Sequence, residues 1–332
     1  MGVERRDVRG LDDASSANLA GMANEWECVV VGGGAAGLSA ALVLGRARRR
    51  TLVVDANEQS NRAATVMGGV LGYDQRPPAE LYATGRRELS VYPTVEYRAG
   101  EVVSGAPVDG GFALELDDGE EVRTRRVVLA TGMRYCPPDL PGVDELWGDS
   151  VFQCPFCHGW EMRDKRLAVL AAGDEAVHGA LMLRGWSDDV AVLTDGASQL
   201  DARQRRLLDT AGVTVDERRV VEVIGKDRRL THVAFADGDR MERDGLLVEA
   251  PLRQRSRLAE KLGVTCAQGP LAPDAIDVDS LHRTSVPTAF AAGDVCTEQP
   301  YVAGAIAAGS QAAMIVVQSL LADEFGLPYP PS

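Results

Sequence analysis

A chain of 332 residues has room for two domains of ordinary size with real cores, which excludes a small disulfide-stapled scaffold. Apolar residues make up 45% and charged residues 25%, the balance of a soluble folded protein rather than a disordered or fibrous one. The formal net charge of −14 argues against nucleic acid or an anionic membrane surface as a partner.

Residues 1–24 mix charge with Ser, Gly and Asn and show no sustained apolar period, so a disordered leader is expected there. The leader lacks the basic-then-apolar pattern of a secretory signal, and six scattered cysteines do not make a secreted disulfide framework. The cytoplasm is therefore the expected compartment. Ordered structure is expected to begin at Trp26, with Cys28-Val29-Val30-Val31 as a short buried strand. It breaks into Gly32-x-Gly34-x-x-Gly37 and then an Ala/Leu-rich helical run to about Leu44, and Thr51 to Asp55 reads as the next strand.

That order of strand, glycine turn, helix and acid is the pattern of a dinucleotide-binding βαβ unit. Gly32 permits the tight turn, Gly34 lets the backbone approach a pyrophosphate, and Gly37 allows the helix to pack closely. The helix N-terminus faces the anion, and Asp55, 23 residues after Gly32, is placed to accept hydrogen bonds from a ribose.

From Val95 to Thr124, short alternating runs separated by Asp109-Gly110 and Asp118-Gly119 predict a small antiparallel layer. A buried strand, Val127 to Ala130, then ends in Thr131-Gly132. Pro137-Pro138 and Pro141-Gly142 suggest a domain crossing. A second βαβ start follows, with a strand at Leu167 to Leu170, a turn over Ala171 to Ala176, a helix from Val177 to Arg184 and a strand at Val190 to Leu193. After Leu246-Leu247-Val248 the chain crosses back near Arg253 to Arg257, and a late strand runs into Gly293-Asp294. The apolar stretch from Ala303 to Leu321 carries Ser310, Gln311, Gln318 and Ser319, which suits a packed helix rather than a membrane span. The expected architecture is α/β, with two Rossmann-like three-layer (ββα) domains, the second (residues 139–251) inserted into a discontinuous first (residues 25–138 and 252–332).

Between these units lies Cys154-Pro155-Phe156-Cys157-His158. Cysteines at i and i+3 in a first helical turn are close enough to form a disulfide, and a helix N-terminus stabilises a thiolate. Pro155 fits the first helical position, where its missing N–H costs nothing. His158, with its imidazole beside the pair in sequence, is a candidate to move protons to and from the thiolates. Cys28, Cys136, Cys266 and Cys296 are scattered and His178, His232 and His282 stand alone, so no metal site is expected. Phe156, Trp160 and Met162 are candidates for an apolar wall beside the pair.

The combination of Gly32-x-Gly34-x-x-Gly37, Ala130-Thr131-Gly132, Cys154-x-x-Cys157 in an inserted domain and Ala292-Gly293-Asp294 resembles the low-molecular-weight thioredoxin reductases, from about residue 26 to 322. The resemblance implies FAD in the discontinuous domain, held by the glycine turn with Ala35 and Ala36, by Asp55 and by the Ala130-Thr131-Gly132 return. It further implies Gly293 and Asp294 near the ribityl chain, the helix start at Val302 and Ala303 aimed at the flavin pyrimidine, and a homodimer.

Three departures from that family concern the second domain. Ala171 stands where its glycine turn would begin, Thr194-Asp195-Gly196 replaces the basic cluster that would hold a 2′-phosphate, and Val248-Glu249-Ala250-Pro251 replaces a later glycine signature. With His158 after the second Cys, this pattern resembles more closely the FAD-dependent dithiol oxidases of the gliotoxin and holomycin type, from natural-product biosynthesis. That resemblance implies that Cys154 exchanges with a small-molecule dithiol, that Cys157 lies nearer the flavin, and that dioxygen is the final acceptor. Three other readings stay open: an NAD(P)H-dependent disulfide reductase in which Asp195 accepts a ribose, a ferredoxin-dependent thioredoxin reductase acting on a redox protein partner, and a flavin-binding thiol sensor without turnover.

Overall fold

The computed structural model describes residues 26–267, 269–297 and 299–329, and the leader expected over residues 1–24 lies outside them. In chain order the elements are β1 (Trp26–Val31), α1 (Ala35–Arg46), β2 (Thr51–Asp55), α2 (Pro78–Leu89), β3 (Val95–Ala99), β4 (Val102–Val108), β5 (Gly111–Leu116), β6 (Glu121–Leu129) and β7 (Met133–Tyr135). They continue with α3 (Val143–Leu146), β8 (Val151–Phe152), α4 (Pro155–His158), β9 (Leu167–Leu170), α5 (Gly173–Leu183), β10 (Val190–Leu193), α6 (Ala202–Thr210), β11 (Thr214–Asp216), β12 (Val220–Lys226), β13 (Arg229–Phe235), β14 (Arg240–Glu242) and β15 (Gly245–Val248). The last are β16 (Leu252–Gln254), α7 (Leu258–Lys261), β17 (Ala289–Ala291) and α8 (Val302–Phe325).

The β-branched runs at β1 and β2 are buried on both faces, as the strands of a covered parallel sheet must be. They lie in a seven-stranded sheet of order β3-β2-β1-β6-β5-β4, and β17, from the far end of the chain, pairs with β6. One apolar cluster fills the face under α1 and α8, and a second fills the face toward α7. The antiparallel region differs from the expected separate layer. β3 joins the parallel edge beside β2, and β4 to β6 extend the same sheet, because the nine-residue β6 pairs with β5 over its first half and with β17 over its second.

The second sheet, β11-β10-β9-β15-β8, is wholly parallel, with a three-stranded antiparallel sheet of β12, β13 and β14 beside it. The two chain crossings pair with each other as the antiparallel ribbon β7-β16. α5 begins at Gly173, four residues before the helix start expected at Val177. Gly173 adopts a φ of +60°, which turns the chain at once and leaves Asp174 and Glu175 in the first helical turn.

By length and composition α8 is long and apolar enough to cross a membrane. It packs on α1 and supplies Ala305, Ala312, Ala313, Val316 and Leu320 to the core. The contact is backbone against backbone, for a Cβ built on Gly309 would lie 2.0 Å from the carbonyl oxygen of Ala36. Gly309→Ala is therefore expected to force the two helices apart and cost about 1–3 kcal/mol. Thermal denaturation should show the lower midpoint, and a variant as stable as the parent would contradict this packing.

Candidate active site

The carboxyl ends of β1, β2 and β6 open into a cleft of about 870 Å³, within the roughly 300–1,000 Å³ range of cofactor and small-molecule sites. All the residues expected to hold the cofactor or carry the redox chemistry line this cleft, apart from Gly37. Gly37 sits behind it, where an added Cβ would lie 1.8 Å from the carbonyl oxygen of Gly32. Gly32, at φ +107°, presses against Ala130, whose carbonyl oxygen would be 2.3 Å from a Cβ there. These two contacts leave no room for any side chain, so the turn can be built only from glycine. Gly34 differs, because its nearest neighbour would be Gln59 Cγ at 3.9 Å and a side chain at this position would project into open cleft.

Two helix N-termini face the cleft. Gly34 is the N-cap of α1 and Tyr301 that of α8; neither helix has a side-chain cap, and neither has an acid in its first turn. Their free N–H groups and positive ends suit an anion and a polar ring edge. Around them four buried polar atoms lack a hydrogen-bond partner: Asn61 Nδ2, Gln153 Oε1, His158 Nδ1 and Arg255 Nε. All four belong to residues of the cleft. Buried polar groups left unpaired are costly, so the lining fits a large polar ligand with a phosphate-bearing end.

Asp55 is more enclosed than its expected ribose contact suggests. It is 3% exposed and lies under Gly33, while Asn57 N and Gln59 Nε2 donate to Oδ1 at 2.9 and 3.4 Å. Gln59 Nε2 also reaches Oδ2 at 3.2 Å, and the Tyr97 hydroxyl donates to that same oxygen. A ribose hydroxyl would share acceptors already in use, and Asp55 also braces the turn. Asn61, held by a 2.6 Å hydrogen bond from Tyr82 OH to its Oδ1, and Arg255, 3.2 Å from Glu58, went unnoticed in the sequence. Asn61 stands in a short 3-10 turn, Ser60–Ala63, and Arg255 in a bend after β16, and neither carries a periodic or motif signal.

Cys154 and Cys157 form a disulfide, with Cα atoms 5.3 Å apart. The helix behind them is a single turn, Pro155–His158, so it offers the thiolate little dipole support. Cys154 occupies the N-cap, and its carbonyl accepts from Cys157 N at 3.1 Å and His158 N at 3.2 Å. The carbonyl of Cys157 abuts Gly68, where a Cβ would be 2.7 Å away, so the pair is pressed against the first domain. His158 stacks on Phe152 at 5.5 Å, and its Nε2 lies 3.0 Å from the Gly148 carbonyl oxygen. A carbonyl can only accept, so Nε2 carries the hydrogen and a neutral ring presents Nδ1 as a bare acceptor. Phe156, 74% exposed, stands edge-on to Trp186 with ring centroids 5.6 Å apart. Trp160 is also exposed, but Met162 is core beside Gly245 and forms no part of a wall. Burial pushes the Cys28 thiol well up and the Cys296 thiol up to about 12, so both are poor nucleophiles.

Two nucleotide-type domains with a redox disulfide at their junction define an FAD-containing disulfide oxidoreductase. Residues 26–312 match the family described as "Pyridine nucleotide-disulphide oxidoreductase". The chain is 32% identical to "Thioredoxin reductase tcpT" of Claviceps purpurea, over 90% of this chain and 96% of that one. With "Thioredoxin reductase aclD" of Aspergillus oryzae it shares 30% identity over 90% and 98%. Among solved structures, an oxidoreductase from Agrobacterium tumefaciens superposes with a TM-score of 0.84 at 37% identity, covering 90% of this chain and 99% of that one. HlmI superposes with the same score and identity, covering 92% and 95%. The chain belongs to the pyridine nucleotide-disulphide oxidoreductase family. It is a thioredoxin reductase-like, flavin-dependent thiol-disulfide oxidoreductase with FAD as its cofactor.

Gly34→Leu should give a folded protein with the melting curve of the flavin-stripped parent and no visible flavin absorbance, since the new side chain fills cleft without straining the turn. A yellow variant would contradict the placement. Burial pushes the Asp294 carboxyl up to about 6, with Arg255 pulling the other way. The folded state then holds a proton that the unfolded chain has lost, and this stabilisation is full below about pH 4 and disappears as the pH rises through about 6. In flavin-stripped protein, Asp294→Asn should shrink the fall in melting temperature between pH 4 and pH 7; an equal fall in both proteins would refute the shift.

Proposed function

We propose that the protein is an FAD-dependent dithiol oxidase that closes a disulfide in a small-molecule dithiol, with dioxygen as acceptor and hydrogen peroxide as product. The observation that carries this reading is the state of the second nucleotide-type domain. Where a pyridine nucleotide would set its pyrophosphate, the first turn of α5 holds Asp174 and Glu175. Glu249, at the end of β15, has its carboxyl pushed up by burial and by the neighbouring Glu175. The helix end already has its negative charge, and a further pyrophosphate would be repelled. Asp195, the residue available for a ribose, spends Oδ1 on the backbone N–H of Val220 at 2.8 Å. The first domain leaves both of its helix ends open, and this contrast favours a single nucleotide cofactor.

The chain's own groups perform the thiol chemistry. A substrate thiol gives its proton to His158 Nδ1, and the thiolate attacks Cys154 Sγ while Cys157 leaves as a thiolate. The second substrate thiol then attacks the sulfur bonded to Cys154; the substrate disulfide closes, and the enzyme pair holds two electrons and two protons. FAD, when bound, supplies a two-electron acceptor that passes those electrons to dioxygen. A compact, apolar substrate is favoured by Phe156, Met182, Val70 and Tyr301, which line the cleft with Cys154 and bring no carboxylate or cation to it.

The test follows flavin absorbance and oxygen uptake in the purified protein. Small dithiols should bleach the flavin under nitrogen and drive oxygen consumption in air, whereas NADH and NADPH should do neither. Cys154→Ser should retain flavin and lose dithiol oxidation. Rapid bleaching by a nicotinamide would overturn the oxidase reading in favour of a reductase, and near-full peroxide production by Cys154→Ser would rule out the exchange.

A further inference from the structure

The carbonyl that fixes the His158 tautomer belongs to Gly148, in a short turn that is itself gripped from both domains. On the first-domain side, Thr65 donates twice to the next residue, through its N–H to Asp149 Oδ1 at 3.1 Å and through Oγ1 to Oδ2 at 2.9 Å. From the β12–β13 hairpin, Arg228 pairs through Nε with the same carboxylate, and its Nη2 donates to the carbonyl of Ala63 and to that of Trp147 at 3.0 Å. Gly148 fits between these anchors only because it lacks a side chain. Its φ is +84°, and a Cβ there would lie 2.8 Å from the Ala63 carbonyl carbon. Ser150, 1% exposed, ties the far side of the turn, accepting from Leu230 N at 2.8 Å and donating to Arg228 O at 2.9 Å.

We propose that the Trp147–Asp149 turn, clamped between the domains by Thr65 and Arg228, is a positioning device that holds the Gly148 carbonyl against His158 Nε2–H and so keeps Nδ1 free to take the substrate proton. The proposal rests on His158 being the base of the dithiol oxidation. Thr65, Asp149 and Arg228 touch neither substrate nor sulfur; they act through Gly148. When the clamp loosens, the imidazole loses its fixed acceptor and divides between two tautomers, one of which has a hydrogen on the nitrogen that must accept. Among the described residues, the charged groups on the elements around His158 are Asp149 and Arg228, which pair with each other, and Glu161, Arg163, Asp164 and Lys165 in the turn and bend that follow. The imidazole's own partners are the Gly148 carbonyl and the Phe152 ring, so its tautomer answers to the turn rather than to a neighbouring charge.

A double-mutant cycle tests this, with anaerobic flavin reduction by dithiothreitol as the readout in flavin-loaded protein. Thr65→Val, which removes one hydrogen bond at nearly constant shape, and Asp149→Ala should each slow reduction near neutral pH on the order of tenfold. The deficit should fade at alkaline pH, where the thiol ionises unaided. In a His158→Ala background neither substitution should slow the reaction further. Equal slowing in both backgrounds, or a deficit that does not change with pH, would overturn the device while leaving the base in place. If His158→Ala alone leaves the rate and its pH profile unchanged, the base assignment falls and the device falls with it. Flavin content and the melting curve are checked for each variant, and Thr65→Val carries the test should Asp149→Ala not fold.

Discussion

The structure depends on bare backbone contact among the glycine turn after β1, α1 and α8. Gly32 lies on Ala130, Gly37 on Gly32 and Gly309 on Ala36, each with less than a methyl group's space between them. Because no side chain intervenes, segments from opposite ends of the chain converge on one cleft, and the starts of α1 and α8 point into it. That convergence of two uncapped helix ends makes the first domain a site for a phosphate-bearing cofactor. A single added methyl at any of the three contacts would push apart the surfaces that shape the cleft.

The second domain repeats the architecture with the opposite electrostatic result. Its helix also follows a parallel strand through a turn that contains a glycine with positive φ, Gly173 here and Gly32 there, but it brings its own acids to its N-terminus. The strand, turn and helix pattern therefore describes a scaffold, and two or three side chains decide whether that scaffold accepts a nucleotide. In the proposed oxidase the contribution of this domain is mechanical. It carries the disulfide turn, presses Cys157 on Gly68 of the first domain, and through Gly148 and Asp149 sets the ring of His158.

Residues whose function is local were legible in the sequence. The glycines at 32, 34 and 37 and the cysteines at 154 and 157 interact across a turn or less, so their spacing carries the information. Asp55 was singled out by the same logic, and spacing alone left out Tyr97, 42 residues further along, which donates to one of its oxygens. The early start of α5 was missed for a related reason. Ala171 to Ala176 reads as a loop until Gly173 is seen to turn the chain within one residue.

By itself the sequence determined the two nucleotide-type units, the redox pair and the family resemblance, since each is written in short-range periodicity or in fixed spacing. Only the tertiary structure decided which helix ends remain open, that Glu175 and Glu249 meet, that Asn61 and Arg255 turn unpaired atoms into the cleft, and which nitrogen of His158 accepts. Those outcomes depend on groups far apart in the chain and on a carbonyl contributed by a loop. Such encounters leave no periodic trace, because a hydrogen bond or a charge contact depends on distance in space and not on separation along the backbone.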